Sequence, residues 1–211
     1  MPKETFFNLP EEKRALISKV AVDEFAEYSF EQASINRIVA NSGIAKGSFY
    51  QYFEDKKDLF LYLVQLAAEE KLNYFSSVLG NPQAHDFFTL IREIYLSGMQ
   101  FAVEHPEYAA ISKMILENKN SEIYKEVMAN NVPTAHSLFE TLLQTAVAKG
   151  EVRPNLDIKM LAYVITAMNT SIIEYYIEYL EHDYDEKMLE TIEKFLDFLK
   201  NGIGANNTEK Q

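Results

Sequence analysis

Cysteine is absent from the 211 residues, which excludes disulfides and thiolate metal sites. Glycine and proline are scarce, at seven and six, and that favours long helices over a many-turned β fold. No apolar run approaches the roughly 20 residues a membrane-spanning helix needs, so no membrane partner is expected. The opening MPKETFFNLPEEKR has no hydrophobic signal region. With no cysteine either, the expected location is cytoplasmic. His85, His105, His136 and His182 lie far apart and lack metal-ligand spacing. No glycine-rich phosphate loop or nucleophile elbow occurs. Glu69-Glu70 and the acidic stretch Glu181 to Glu186 read as solvated helix faces. The expectation is therefore no enzyme, no metal and no cofactor.

What the chain does have is a hydrophobic content of 47%, enough for a sizeable core in one or two domains. The net charge of −12 is unevenly spread. Residues 1–57 carry eight Lys or Arg against nine Asp or Glu, leaving twelve against twenty-three for residues 58–211. Within Ser34–Lys57 the balance is four basic to two acidic. An acidic body need not oppose binding to a polyanion, because charges beyond a Debye length of about 10 Å are screened.

The periodicity predicts an all-α chain of about nine helices. Leu9-Pro10-Glu11-Glu12 opens the first, with Leu16, Ile17, Val20, Ala21 and Phe25 as its buried stripe and an end near Tyr28. A long helix from about Asp55 to Leu79 turns Leu59, Leu63, Leu66 and Leu72 inward, and Gly80-Asn81-Pro82 stops it. Further helices are expected over 87–103, 107–116, 121–130, 132–149, 157–181 and 184–200, with Pro133 as a break and Lys149-Gly150 as a helix end.

The stretch SINRIVANSGIAKGSFYQYFEDKKDL, beginning at Ser34, is the most specific. Ser34 suits an N-cap, and Ile35, Ile38 and Val39 lie on one helical face. Asn41-Ser42-Gly43 is a turn, with Gly43 able to take a positive φ. A second short helix over about Ala45 to Tyr52 puts Phe49 and Phe53 inward and leaves Lys46, Ser48, Tyr50 and Gln51 outside. This is a helix-turn-helix, whose second helix enters the DNA major groove; read without further detail, it could equally be a helical hairpin in an all-α core.

The order Gly-Ile-Ala-Lys-Gly-Ser-Phe-Tyr-x-Tyr-Phe followed by Lys-Lys-x-Leu resembles the DNA-binding signature of the tetracycline-repressor (TetR) family, without a gap from about Phe25 to Leu63. Serine stands at Ser29 where that family usually has glycine, so the preceding helix either takes an αL cap or ends differently. The resemblance implies a helix-turn-helix domain over residues 1–54 and an effector-binding and dimerisation domain over 55–211. It also implies DNA contacts from Ser34, Arg37, Lys46, Gly47, Ser48, Tyr50, Gln51, Tyr52 and Lys56. Gln51 could read adenine through its amide, whereas Ser34 could serve only as a cap and Lys56 only as a surface charge.

Helix-turn-helix proteins generally bind as dimers, and the last two helices are the expected homodimer surface, through Tyr175, Tyr179, Met188, Ile192, Phe195 and Leu199. The other reading of these stripes is internal core. Tyr95, Met99, Met114, His136, Phe139, Met168, Asn169 and Tyr176 are candidates to line an effector pocket, or else ordinary core. The expected partners are a double-stranded DNA operator, a second copy of the chain and an unidentified small molecule. The competing reading is a helical protein-interaction module without DNA binding.

Overall fold

The computed structural model describes residues 1–80, 85–179 and 186–204, excepting the side chains of 77, 78, 176, 177, 179 and 186. Ten helices occur among the described residues, and none is long and apolar enough to cross a membrane. They are α1 (Glu4–Phe7), α2 (Glu11–Glu27), α3 (Ile35–Asn41), α4 (Lys46–Tyr52), α5 (Lys56–Leu79), α6 (Phe87–Glu104), α7 (Pro106–Glu117), α8 (Glu122–Ala148), α9 (Ile158–Tyr179) and α10 (Glu186–Ile203). The chain divides into two compact units, residues 1–72 with 104–127, and 73–103 with 128–211.

In the first unit the core is aromatic. Phe25 meets Phe60 at 4.9 Å between ring centroids, and Phe6 meets Phe53 at 4.8 Å. Phe49, Phe53, Leu59 and Leu63 are buried, as the helical spacing predicts. The α2 stripe is shifted from expectation. Leu16 is exposed and Val20 half-buried, while Val22 and Glu24 are buried. The inward face is therefore Ile17, Ala21, Val22, Glu24 and Phe25, which packs on α3 and α7. Leu72 likewise lies outside rather than in the core. Helix α2 ends at Tyr28 in extended conformation, and the Ser29 carbonyl accepts from Gln32 and Ala33 in the turn that follows.

In the second unit α6, the C-terminal part of α8, α9 and α10 pack around Phe87, Ile91, Tyr95, Leu143, Ile165, Ile192 and Leu199. Gly150 takes φ 72° just after α8, the left-handed end that its Lys-Gly sequence predicts. Pro133 does not break α8, which runs continuously over Glu122–Ala148. The ring lies on the exposed side, where the backbone groups it leaves unpaired can be solvated, and buried side chains on both sides hold the helix in register.

Candidate nucleic-acid interface

The turn between α3 and α4 rests on Gly43, whose φ of 63° is the left-handed region open to glycine. Ser42 Oγ donates back to the Ile38 carbonyl at 2.7 Å, and Ile44 N–H closes the turn on Val39. Phe49 is fully buried under α4. Opposite it, Lys46, Gly47, Tyr50 and Gln51 are exposed, and Ser48 and Tyr52 are half-buried. A Cβ built on Gly47 meets nothing within 4 Å, so the bare backbone there faces open space.

The N-terminal segment braces the far end of α4. Lys3 N–H donates to the Tyr52 carbonyl at 2.7 Å, Lys3 Nζ to the Tyr50 carbonyl at 2.9 Å, and Thr5 Oγ1 to the Gln51 carbonyl. These are the carbonyls a helix C-terminus leaves unpaired. Phe6 anchors the segment, fully buried beside Tyr52 and Phe53. Tyr52 is therefore partly a packing residue. The signal available in the sequence was the Phe6-Phe7 pair just before Leu9-Pro10.

The loop before α3 is held by charges. Ser34 occupies the N-cap position of α3 in extended conformation, but its hydroxyl makes no capping bond and stays available. Its N–H instead donates to Glu24 Oε1 at 2.7 Å. Arg37 Nε donates to both Glu24 oxygens at 2.9 and 3.0 Å, and its Nη2 reaches the Gln32 carbonyl at 3.0 Å. The guanidinium also lies 4.1 Å from the centre of the Tyr28 ring. Burial alone would raise the Glu24 carboxyl; hydrogen bonds from Arg37 and Ser34 outweigh it and hold the group below its ordinary range. Arg37 is thus a cation already neutralised within the protein. Lys56 Nζ donates to the Glu31 and Ala33 carbonyls at 3.1 and 2.9 Å, over the Phe30 ring. Its ammonium positions the loop, and of its three donors two are used. Sequence reasoning missed Glu24, because a glutamate near a helix end reads as surface.

Seven of the eight candidate effector residues belong to the second unit. Tyr95 and Phe139 are buried, and Met99 and Met168 pack against the same core. Among the described residues, the Tyr95 hydroxyl is buried with no hydrogen-bond partner, and burial pushes its pKa up. His136 Nε2 lies 3.3 Å from the Lys159 carbonyl and beside exposed Tyr163, so it faces outward. Asn169 is half-buried. The Tyr176 side chain lies outside the described residues. Met114 belongs to the first unit, where it lines a cleft with Phe25, Phe30, Phe60, Ile111 and Ile115. In the second unit a shallow cleft is lined by His85, Phe87, Leu90, Leu142 and Lys149, none of them predicted.

Of the predicted dimer residues, four lie on the inward side of α10. Met188, Ile192, Phe195 and Leu199 are buried within the protomer's own core, because α10 turns its apolar stripe onto α6, α8 and α9. Tyr175 is exposed, and the side chain of Tyr179 lies outside the described residues. Among the described residues, the large apolar side chains exposed on this pair are Met160, Tyr163, Val164 and Tyr175 of α9, with Phe198 of α10. Positions 160, 163, 164, 167, 171 and 175 share one helical face.

Residues 17–63 match the family model described as "Bacterial regulatory proteins, tetR family". The chain is 33% identical to a TetR family transcriptional regulator from Chloroflexus aurantiacus J-10-FL, over 98% of this chain and 100% of that one, with a TM-score of 0.63. It is 26% identical to the probable acrEF/envCD operon repressor of Escherichia coli K12, over 76% of this chain and 74% of that one. The fold also matches FadR from Bacillus subtilis in complex with stearoyl-CoA, with a TM-score of 0.70 at 17% identity, covering 90% and 98% of the two chains. The helix-turn-helix of α3 and α4, the full-length similarity and the all-helical fold together show that this chain belongs to the TetR family of transcriptional regulators, DNA-binding proteins rather than enzymes.

Proposed function

We propose that the protein is a ligand-responsive repressor that binds a palindromic operator as a homodimer in the cytoplasm. Residues 1–54 carry the DNA-binding function and 55–211 the effector and dimerisation functions. The observation that carries this reading is the outer face of α4, where Lys46, Gly47, Ser48, Tyr50 and Gln51 stand clear of a fully buried Phe49. Lys46 and Tyr50 would reach phosphates, Gln51 a base edge, and Gly47 would allow close approach of the duplex backbone. Ser34, with its hydroxyl uncommitted, adds a phosphate contact at the start of α3.

Two such heads would read half-sites about 34–36 Å apart or a multiple of that spacing. The face of α9 bearing Met160, Tyr163, Val164 and Tyr175, together with exposed Phe198 of α10, supports pairing of two protomers, since exposed apolar patches mark interaction surfaces. The effector is a small apolar or amphipathic molecule. The fold shared with a regulator solved in complex with stearoyl-CoA supports that class. Its binding would favour a conformation with unsuitable head spacing, lowering operator affinity by its differential binding energy.

Selection of bound duplexes from random DNA, repeated with candidate apolar molecules, tests this reading. The expected product is a two-fold symmetric sequence whose enrichment falls when the effector is present. Enrichment of no sequence would overturn it.

A further inference from the structure

Glu24 carries a charged side chain into the core of the first unit. It sits one turn before the end of α2 and accepts three kinds of donor at once: the Ser34 N–H at 2.7 Å, Arg37 Nε at 2.9 and 3.0 Å, and Arg37 Nη2 at 2.5 Å. Both partners lie in or beside the first turn of α3. The same guanidinium also holds the Gln32 carbonyl and stacks on Tyr28. One carboxylate therefore ties the end of α2, the intervening loop and the start of α3 into a single arrangement.

An ion pair with its carboxylate buried and its guanidinium exposed is a poor device for stability alone. Its desolvation cost offsets much of its attraction, and apolar residues of similar volume often do as well. What the pair supplies is direction. Arg37 makes a planar two-pronged contact that fixes both distance and orientation. It sits on α3, on the side of the head where Ser34 leaves its hydroxyl uncommitted. Unpaired, the guanidinium would be a mobile cation able to grip any phosphate, and phosphate contacts carry no sequence information directly.

We infer that Glu24 is a positioning residue for operator recognition. It sets the register of Ser34 and α3, and with them α4, and it withholds Arg37 from indiscriminate contact with the DNA backbone. This rests on the DNA-binding reading above. Glu24 touches no nucleic acid in this account and acts through Arg37 and the Ser34 N–H.

The test compares Glu24→Gln with the unaltered protein on two duplexes, the sequence enriched by selection and a scrambled one of equal length, across a salt series. Circular dichroism and sedimentation check that the variant is folded and associates as the parent does. The expected result is a 10- to 100-fold loss of affinity for the enriched duplex. Binding to the scrambled duplex is unchanged or tighter, with its salt slope steeper by about one, because the freed Arg37 now displaces a counterion. Glu24→Gln combined with Arg37→Gln should return that slope to the parent value without restoring specificity. If Glu24→Gln does not fold, Arg37→Lys decides, since it keeps the charge but loses the fork, and the same loss of discrimination is expected. Equal losses on both duplexes, or no loss on either, would overturn the inference while leaving the DNA-binding reading intact. A parent protein that enriches no duplex removes that reading, and this inference with it.

Discussion

Lys13 of α2 donates from Nζ to the Ser42 carbonyl at 2.8 Å, placing a cation on the C-terminal end of α3 and on the turn that aims α4. Its longer contact to the Gly43 carbonyl, at 3.4 Å, spans the same turn. A cation at this position complements both the unpaired carbonyls and the negative end of the helix dipole. Lys13→Met keeps the aliphatic stem and removes the charge. It should lower stability by about 1–2 kcal/mol, read as a drop of a few degrees in Tm. An unchanged Tm would mean that the turn is held by Gly43 and Ser42 alone.

Gly47 offers a contrast between stability and binding. Its added Cβ meets nothing within the protein, and its backbone shows no positive φ. Gly47→Ala should therefore stabilise α4, by up to about 0.5–1 kcal/mol. On the proposed reading the same methyl meets the DNA backbone, so operator affinity falls. Thermal melts together with a binding titration give both signs. A stabilised variant with unaltered affinity would show that the duplex does not approach this position.

The two apolar sides of α10 should respond differently to substitution. Phe198 is 61% exposed, and Phe198→Ser should weaken self-association with little change in helical content. Ile192 is 1% exposed, and Ile192→Ala should cost about 2–5 kcal/mol of stability through a cavity in the core. Sedimentation velocity over a dilution series separates them. Dimers undisturbed by Phe198→Ser would place the interface elsewhere.

Tyr95 carries a hydroxyl that folding buries without a partner. Leaving such a group unpaired costs on the order of 1–3 kcal/mol. Tyr95→Phe removes the oxygen and keeps the ring against Phe195, so the variant should gain stability within that range. Denaturant unfolding midpoints measure it. A loss of stability would mean that the hydroxyl has an acceptor in solution.

The fold was largely legible in the sequence because helices announce themselves by period and punctuation. Gly43, His105-Pro106 and Lys149-Gly150 each end or separate helices where expected. Pro133 misled because the cost of an exposed proline is outweighed by burial on the opposite face. The outer face of α4 could be read from the spacing of Phe49 and Phe53 alone. Partnerships could not. That Arg37 is spent on Glu24, and Lys56 on the Glu31 and Ala33 carbonyls, depends on elements meeting in space, and a lone charged letter looks the same whether it faces water or a carboxylate. The stripe of α10 was open to two readings for a related reason. An apolar face has the same period whether it covers its own protomer or a second one, and only packing tells them apart.

Whether α4 meets phosphates is tested most directly at Lys46. It is exposed and opens the helix. The measurement is the dependence of log Kobs on log salt concentration for the enriched duplex, with the parent protein and with Lys46→Ala. The predicted result is a steep negative slope in the parent that becomes shallower by about one in the variant, with lower affinity throughout. Parallel lines of equal height would contradict it.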